Sequence, residues 1–179
     1  MKRFTLITIC LLVFSILHAQ SGKSNWRSRF DINAGAYFIA DDSGGQNYLF
    51  TVEYGFLYKE KLLLGIGTGA SLIREAGKGS TLKRNYIPVY AGIKYFLPVS
   101  GKVSFVSGAD IGYSIITDSQ KSTIILNGNM LSTKRSGEFM ISPQVGFSFR
   151  TGEKSALNLL LGYRYEYVHA IGLKVGFAF

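Results

Sequence analysis

The stretch Tyr48-Leu49-Phe50-Thr51-Val52-Glu53-Tyr54-Gly55-Phe56-Leu57-Tyr58 decides the fold. Successive side chains of a strand point to opposite faces. Tyr48, Phe50, Val52, Tyr54, Phe56 and Tyr58 therefore share one face, and Leu49, Thr51, Glu53, Gly55 and Leu57 share the other. The first face is large and apolar. The second carries the glycine and the charge.

The same period of two recurs along the chain, which is the signature of strands. It appears from Phe30 to Phe38, Leu62 to Leu72, Ile87 to Tyr95 and Val103 to Tyr113. It returns from Phe139 to Arg150, Leu157 to Tyr167 and Ile171 to Phe179. With the opening stretch these make eight strands. Asp41 to Gln46, Arg74 to Arg84 and Ile116 to Ser136 read as longer polar connectors; Lys59 to Lys61, Leu97 to Gly101 and Thr151 to Lys154 read as short ones. Alternating long and short connectors predict an up-and-down barrel with loops on one rim and tight turns on the other. The last connector, Val168 to Ala170, is short on the loop side.

Composition agrees with one folded domain. Of 179 residues, 47% are hydrophobic and only 17% charged, which argues against disorder. A single cysteine cannot close a bridge within the chain. Lys2 and Arg3, the apolar run Phe4 to Leu17 and the small Ala19 form the layout of a secretory signal peptide. The run is too short to span a bilayer as a helix, which needs about 20 residues. The expected organisation is a signal peptide at 1–19, an N-terminal extension at 20–27 and a barrel at 28–179. Cys10 and His18 leave with the signal, and loss of Lys2 and Arg3 lowers the net charge from +9 to +7.

Eight up-and-down strands suit either a soluble ligand-binding barrel or a membrane barrel, and the two differ in which face is apolar. Here twelve strand glycines (Gly35, Gly55, Gly65, Gly67, Gly69, Gly92, Gly108, Gly112, Gly146, Gly162, Gly172 and Gly176) fall on the charged face. Small residues belong inside a narrow eight-strand barrel, where they make room for larger neighbours. Tyr48, Tyr58, Tyr95, Tyr113, Tyr163 and Tyr167 stand near strand ends, as interfacial girdles require. The predicted fold is all-β: an eight-stranded antiparallel up-and-down transmembrane β-barrel in the bacterial outer membrane. A lipocalin-like periplasmic binder is disfavoured, because its outer face would be one large sticky patch.

The predicted lumen holds Asp31, Glu53, Asp110 and Glu166 against Lys94, Arg150, Arg164 and Lys174. Four against four gives neutrality, and desolvated charges must be paired. This predicts an ion-pair network; the alternative is the lining of a narrow channel. Arg74, Lys78, Lys83 and Arg84 in one connector, and Lys121, Lys134 and Arg135 in another, are candidate contacts to lipopolysaccharide anions. The excess is too small and too divided to suggest nucleic acid.

The chain resembles the small outer-membrane β-barrel proteins of Bacteroidetes-type bacteria, the porin-like "outer membrane protein beta-barrel domain" group. The resemblance covers about residues 25–179. It rests on Tyr86-Ile87-Pro88-Val89-Tyr90-Ala91-Gly92-Ile93-Lys94-Tyr95-Phe96, Gly108-Ala109-Asp110-Ile111-Gly112-Tyr113, Ser142-Pro143-Gln144-Val145-Gly146-Phe147 and Ala19-Gln20. It implies an embedded outer-membrane barrel. The ending Val175-Gly176-Phe177-Ala178-Phe179 looks like the signal read by barrel-assembly machinery, with Phe177 and Phe179 as its aromatics.

Catalytic signals are thin. His169 is the one histidine left after processing. A lipid A-modifying enzyme would pair a histidine with a serine nucleophile, and Ser114, Ser132 and Ser136 are the serines to consider. No adjacent serine follows His169, which reads instead as an interfacial residue. Asp41-Asp42 with Gly44-Gly45 reads as a solvated turn rather than a calcium loop. No enzyme site, metal or cofactor is expected. The expected role is structural or surface-interacting, with a mostly plugged lumen. A narrow passive channel and a lipid A-modifying enzyme are the alternatives, and a part in a secretion or surface complex is a further one.

Overall fold

In a computed structural model, the described residues are 25–40, 44–77, 80–117, 122–126, 129–133, 137–166 and 168–179. Ten strands form: β1 (Trp26–Ile39), β2 (Gly45–Tyr58), β3 (Leu62–Gly77), β4 (Ser80–Ser100), β5 (Val103–Ile116), β6 (Ser122–Leu126), β7 (Asn129–Thr133), β8 (Gly137–Arg150), β9 (Ala156–Tyr165) and β10 (His169–Ala178). Eight of them close into an antiparallel barrel in the order β1-β10-β9-β8-β5-β4-β3-β2, and β6 and β7 pair as a separate hairpin. The predicted signal peptide, Cys10, Asp41, Asp42 and Tyr167 lie outside the described residues.

The expected connectors are shorter than the sequence suggests. Arg74 to Arg84 is mostly strand: β3 and β4 stay paired out to Gly77↔Ser80. Ile116 to Ser136 contains the β6–β7 hairpin. Polar alternation at a strand end is indistinguishable from a polar loop until a partner strand supplies hydrogen bonds.

The barrel faces follow the predicted parity. Odd residues of β1, β2 and β3 and even residues of β4, β5, β8, β9 and β10 point inward. The glycines on that face seat bulky neighbours. A Cβ on Gly35 would stand 2.9 Å from Tyr37 Cε2, and one on Gly92 would stand 2.9 Å from Asp110 Oδ1. At Gly67 a Cβ would run into the Tyr90 ring. Gly67→Ala is therefore expected to destabilise the barrel by about 1–3 kcal/mol, as overpacked cores do. Urea titration of the refolded protein would measure this. Trimming the ring with Tyr90→Leu should recover most of the loss; an unchanged midpoint for Gly67→Ala would refute the seating role.

Three ladders are irregular beside prolines, which lack the N–H a ladder needs; in β4–β5 the register shifts between Pro98 and Ser100. The β3–β4 register skips from Thr68↔Val89 to Ser71↔Tyr86 next to Pro88. The β8–β9 register skips from Ile141↔Tyr165 to Gln144↔Gly162 next to Pro143. The β2–β3 turn is tight in another way: Lys59 and Glu60 both have positive φ, 49° and 57°. Lys61 N–H donates to the Tyr58 carbonyl at 2.9 Å. Those angles fit a two-residue turn whose twist matches the flanking strands. Neither residue is glycine, so the backbone carries strain there.

Candidate functional site

The lumen is layered. Near the short-turn rim Leu57, Leu63, Phe96, Val106 and Leu160 make an apolar plug. Toward the loop rim Ile39, Ile73, Tyr86 and Val168 make a second, with Ile116 packed against it. Between them lies the charged layer.

Seven of the eight predicted lumen charges are buried inside the barrel: Asp31, Glu53, Lys94, Asp110, Arg164, Glu166 and Lys174. Arg150 is the exception. Its parity is inward, but it sits at the end of β8 with its side chain 56% exposed and its Nη2 3.9 Å from Glu60. Arg29 takes its place in the lumen, 6% exposed. The apolar alternation starts at Phe30, whereas β1 begins at Trp26, so Arg29 lies upstream of the strand the pattern predicts. Among the buried charges of the described residues four acids still face four bases.

The contacts cross the barrel. Lys94 Nζ donates to Glu53 Oε2 at 2.5 Å and lies 3.7 Å from Asp31 Oδ2, joining β4 to β2 and β1. Arg29 Nε donates to Asp31 Oδ1 at 2.7 Å, and its Nη2 to Asn158 Oδ1 at 3.3 Å. Lys174 Nζ on β10 donates to Asp110 Oδ2 on β5 at 3.4 Å, and Gln144 Nε2 to Asp110 Oδ1 at 3.1 Å. Arg164 Nε donates to Glu166 Oε2 at 3.0 Å. Ser71 Oγ is 2.9 Å from Asn47 Oδ1 and 3.4 Å from Glu166 Oε2. Arg29, Asn158, Gln144, Ser71 and Asn47 were not in the expected network. Their inward parity was readable, but which of them meet depends on strand register.

Such pairs are weak evidence for net stability, because desolvation offsets much of the attraction. Their geometric effect is clearer. Lys174–Asp110 and Arg29–Asn158 link strands that are not neighbours in the barrel, and Ser71–Glu166 links β3 to the residue just past the end of β9. They act as struts across the bore.

Other predicted residues separate into places of their own. His169 is exposed on the outer face, beside the Tyr165 ring at 5.0 Å between centroids, with Nδ1 hydrogen-bonded to the Tyr163 hydroxyl. Ser114 is fully buried in the lumen. The barrel wall therefore separates His169 from Ser114, and they form no nucleophile–base pair. Ser136 lies outside the described residues, and for Ser132 only the backbone pairing with Thr123 is described.

Of the candidate lipopolysaccharide contacts, Arg74 is exposed and lies over the Tyr48 ring at 6.0 Å. Arg84 pairs with Ile73, whose side chain is buried inside, so Arg84 takes the lumen side rather than the outer one. Lys83 pairs with Arg74 in the backbone register. Lys78, Lys121, Lys134 and Arg135 lie outside the described residues. Phe177 and Phe179 both face outward, 4.9 Å apart and edge to face. Phe179 and Phe30 exchange backbone hydrogen bonds at 2.9 and 3.2 Å across the closing seam.

A closed eight-strand barrel with an apolar exterior and a charged bore is the architecture of the small outer-membrane barrels. The comparison with solved structures finds that fold repeatedly. The chain is similar to Neisserial surface protein A (TM-score 0.55, 14% identity, 88% of this chain and 98% of that one). It is similar to Ail, the attachment invasion locus protein of Yersinia pestis (TM-score 0.50, 14% identity, 87% and 99%). The outer membrane enzyme PagL shares the fold too (TM-score 0.50, 10% identity, 83% and 97%). At these identities the likeness concerns the fold alone. No protein-family model and no curated protein matches the chain.

Proposed function

We propose that the chain is an integral outer-membrane barrel with a structural or surface-interaction role and a lumen that conducts little. The inversion of the barrel carries this reading. Phe38, Ile66 and Leu173 are 67%, 65% and 56% exposed, while Lys94, Lys174 and Arg164 are at most 2% exposed. In water such an exterior would aggregate; in lipid it is the required surface. Two apolar plugs and the struts between them oppose flow.

The surface role draws support from the loop rim. Arg74 there, with Lys78 and Lys83 next to it in sequence and Lys121, Lys134 and Arg135 in the Ile116–Ser136 stretch, would supply cations for lipopolysaccharide phosphates. Neisserial surface protein A and the attachment protein Ail are barrels of this shape. The fold also carries an enzyme in PagL, so shape does not choose between them. The separation of His169 from Ser114 favours a non-catalytic barrel. Residues 1–19 would direct export, and Phe177 and Phe179 would present the assembly signal, as in the Bacteroidetes-type group the sequence resembles.

The test is electrophoresis of outer-membrane fractions with and without boiling, followed by planar-bilayer recording. A heat-dependent change in mobility and an absence of steady ion current are expected. A soluble periplasmic protein with no shift would overturn the membrane reading, and sustained current would replace the plugged lumen with a channel. His169→Ala should leave the lipid A profile unchanged; an altered profile would favour the enzyme.

A further inference from the structure

We propose that the short-turn mouth of the barrel is a binding site for a small phosphate-bearing anion. The mouth is a blind cup of about 200 Å³. Leu57 and Phe96 of the apolar plug contribute to its lining, so what enters meets the plug rather than a through-passage. The volume exceeds the ~30 Å³ share of one water several-fold, which is room for an anion of a few heavy atoms.

The cup is built for negative charge. Arg29 stands among its lining, 6% exposed, with its guanidinium carbon 4.8 Å from the centre of the Phe96 ring. Its Nε and Nη2 are fixed by Asp31 and Asn158, so the group is held in place before any ligand arrives. Above it, among the described residues lining the cup, Arg27, Lys102, Arg150 and Lys154 outnumber the acids Glu60 and Glu153. Glu60 is shared between Arg27 at 3.4 Å and Arg150 at 3.9 Å. The strained Lys59-Glu60 turn holds that carboxylate on the rim, where it arranges two guanidinium groups at the mouth. Ser104 and Ser148 add hydroxyl donors to the wall.

Planar guanidinium groups and hydroxyls suit the several oxygens of a phosphate, and charge-assisted bonds to it are the strong ones. Two sources offer that chemistry at this rim: a soluble phosphate compound, or the headgroup of an anionic phospholipid leaning over the turns.

The experiment uses the full chain refolded in zwitterionic micelles and titrated with inorganic phosphate at constant ionic strength. Amide resonances of Gly101, Lys102 and Ser155 report on the cup. Saturable shifts of these amides, not reproduced by chloride, are expected. The triple variant Lys102→Gln/Arg150→Gln/Lys154→Gln should weaken the apparent affinity about tenfold or more, the scale of losing charged hydrogen bonds. A retained heat-dependent mobility shift would show that this variant still folds; Lys154→Gln alone is the fallback.

A second arm adds phosphatidylglycerol to the micelles. If a lipid headgroup fills the cup, the same amides shift before phosphate is added and the later titration is blunted. If the ligand is soluble, the lipid changes neither. Linear, unsaturable shifts in both arms, or binding indifferent to the three substitutions, would overturn the proposal.

Discussion

Leu173→Arg is expected to destabilise the folded barrel in a lipid bilayer by about 2–4 kcal/mol, the largest effect of any outward substitution. Leu173 lies midway along β10, 56% exposed, flanked in register by Ala36 and Leu161. Its outward neighbours Ile171 and Val175 are also exposed and apolar. An arginine there must bury its charge near the centre of the hydrocarbon or thin the bilayer around it. The measurement is urea unfolding in phosphatidylcholine vesicles, with Leu173→Phe as a control expected to stay close to the parent. A shift below about 0.5 kcal/mol, the level of an ordinary surface change, would mean that this face does not meet lipid.

Lys94→Met should destabilise the barrel by about 3–5 kcal/mol, because removing one partner leaves buried charge without compensation. Lys94 is the cation between Glu53 and Asp31. Asp31 keeps Arg29 at 2.7 Å, so Glu53 becomes the abandoned group. Adding Glu53→Leu in the Lys94→Met background should therefore restore most of the stability, because it removes the uncompensated carboxylate. A double variant as unstable as the sum of the two single ones would show that packing, and not charge compensation, sets the cost. The pair is also a test of layering. The plugs shield it from bulk ions, so the Lys94→Met penalty should change little between low and high salt, unlike that of a surface bridge.

Much of the fold was legible because parity is a local property. Within Tyr48–Tyr58 the glycine and the glutamate fall on one face whatever the rest of the chain does, and every strand votes the same way. Height along the barrel is different. It depends on how each strand is offset from its neighbours, which no single strand reveals. Arg29 and Arg150 show the consequence: both have inward parity, yet β1 starts early enough to enclose one, and β8 ends too soon to enclose the other. The plug was hidden for the same reason. Phe96, Val106 and Leu160 lie far apart in sequence and meet only after the register of β4, β5 and β9 is set. The cup at the short-turn mouth was equally invisible, since it gathers residues from the start of β1 and from three separate turns.

The seam between β1 and β10 has a consequence for how the molecule comes to exist. Every other strand pairing of the barrel joins strands adjacent in the chain, counting β5 and β8 as adjacent across the hairpin. These hairpins can form as short loops whose closing entropy is small. The seam unites Phe30 with Phe179, almost the whole folded length, and only it removes the two exposed edges of the sheet. Until it zips, the growing sheet is a ribbon with a free border on each side, open to any strand that comes near. Closure is thus both the entropically slowest union and the event that ends the molecule's capacity to pair with others.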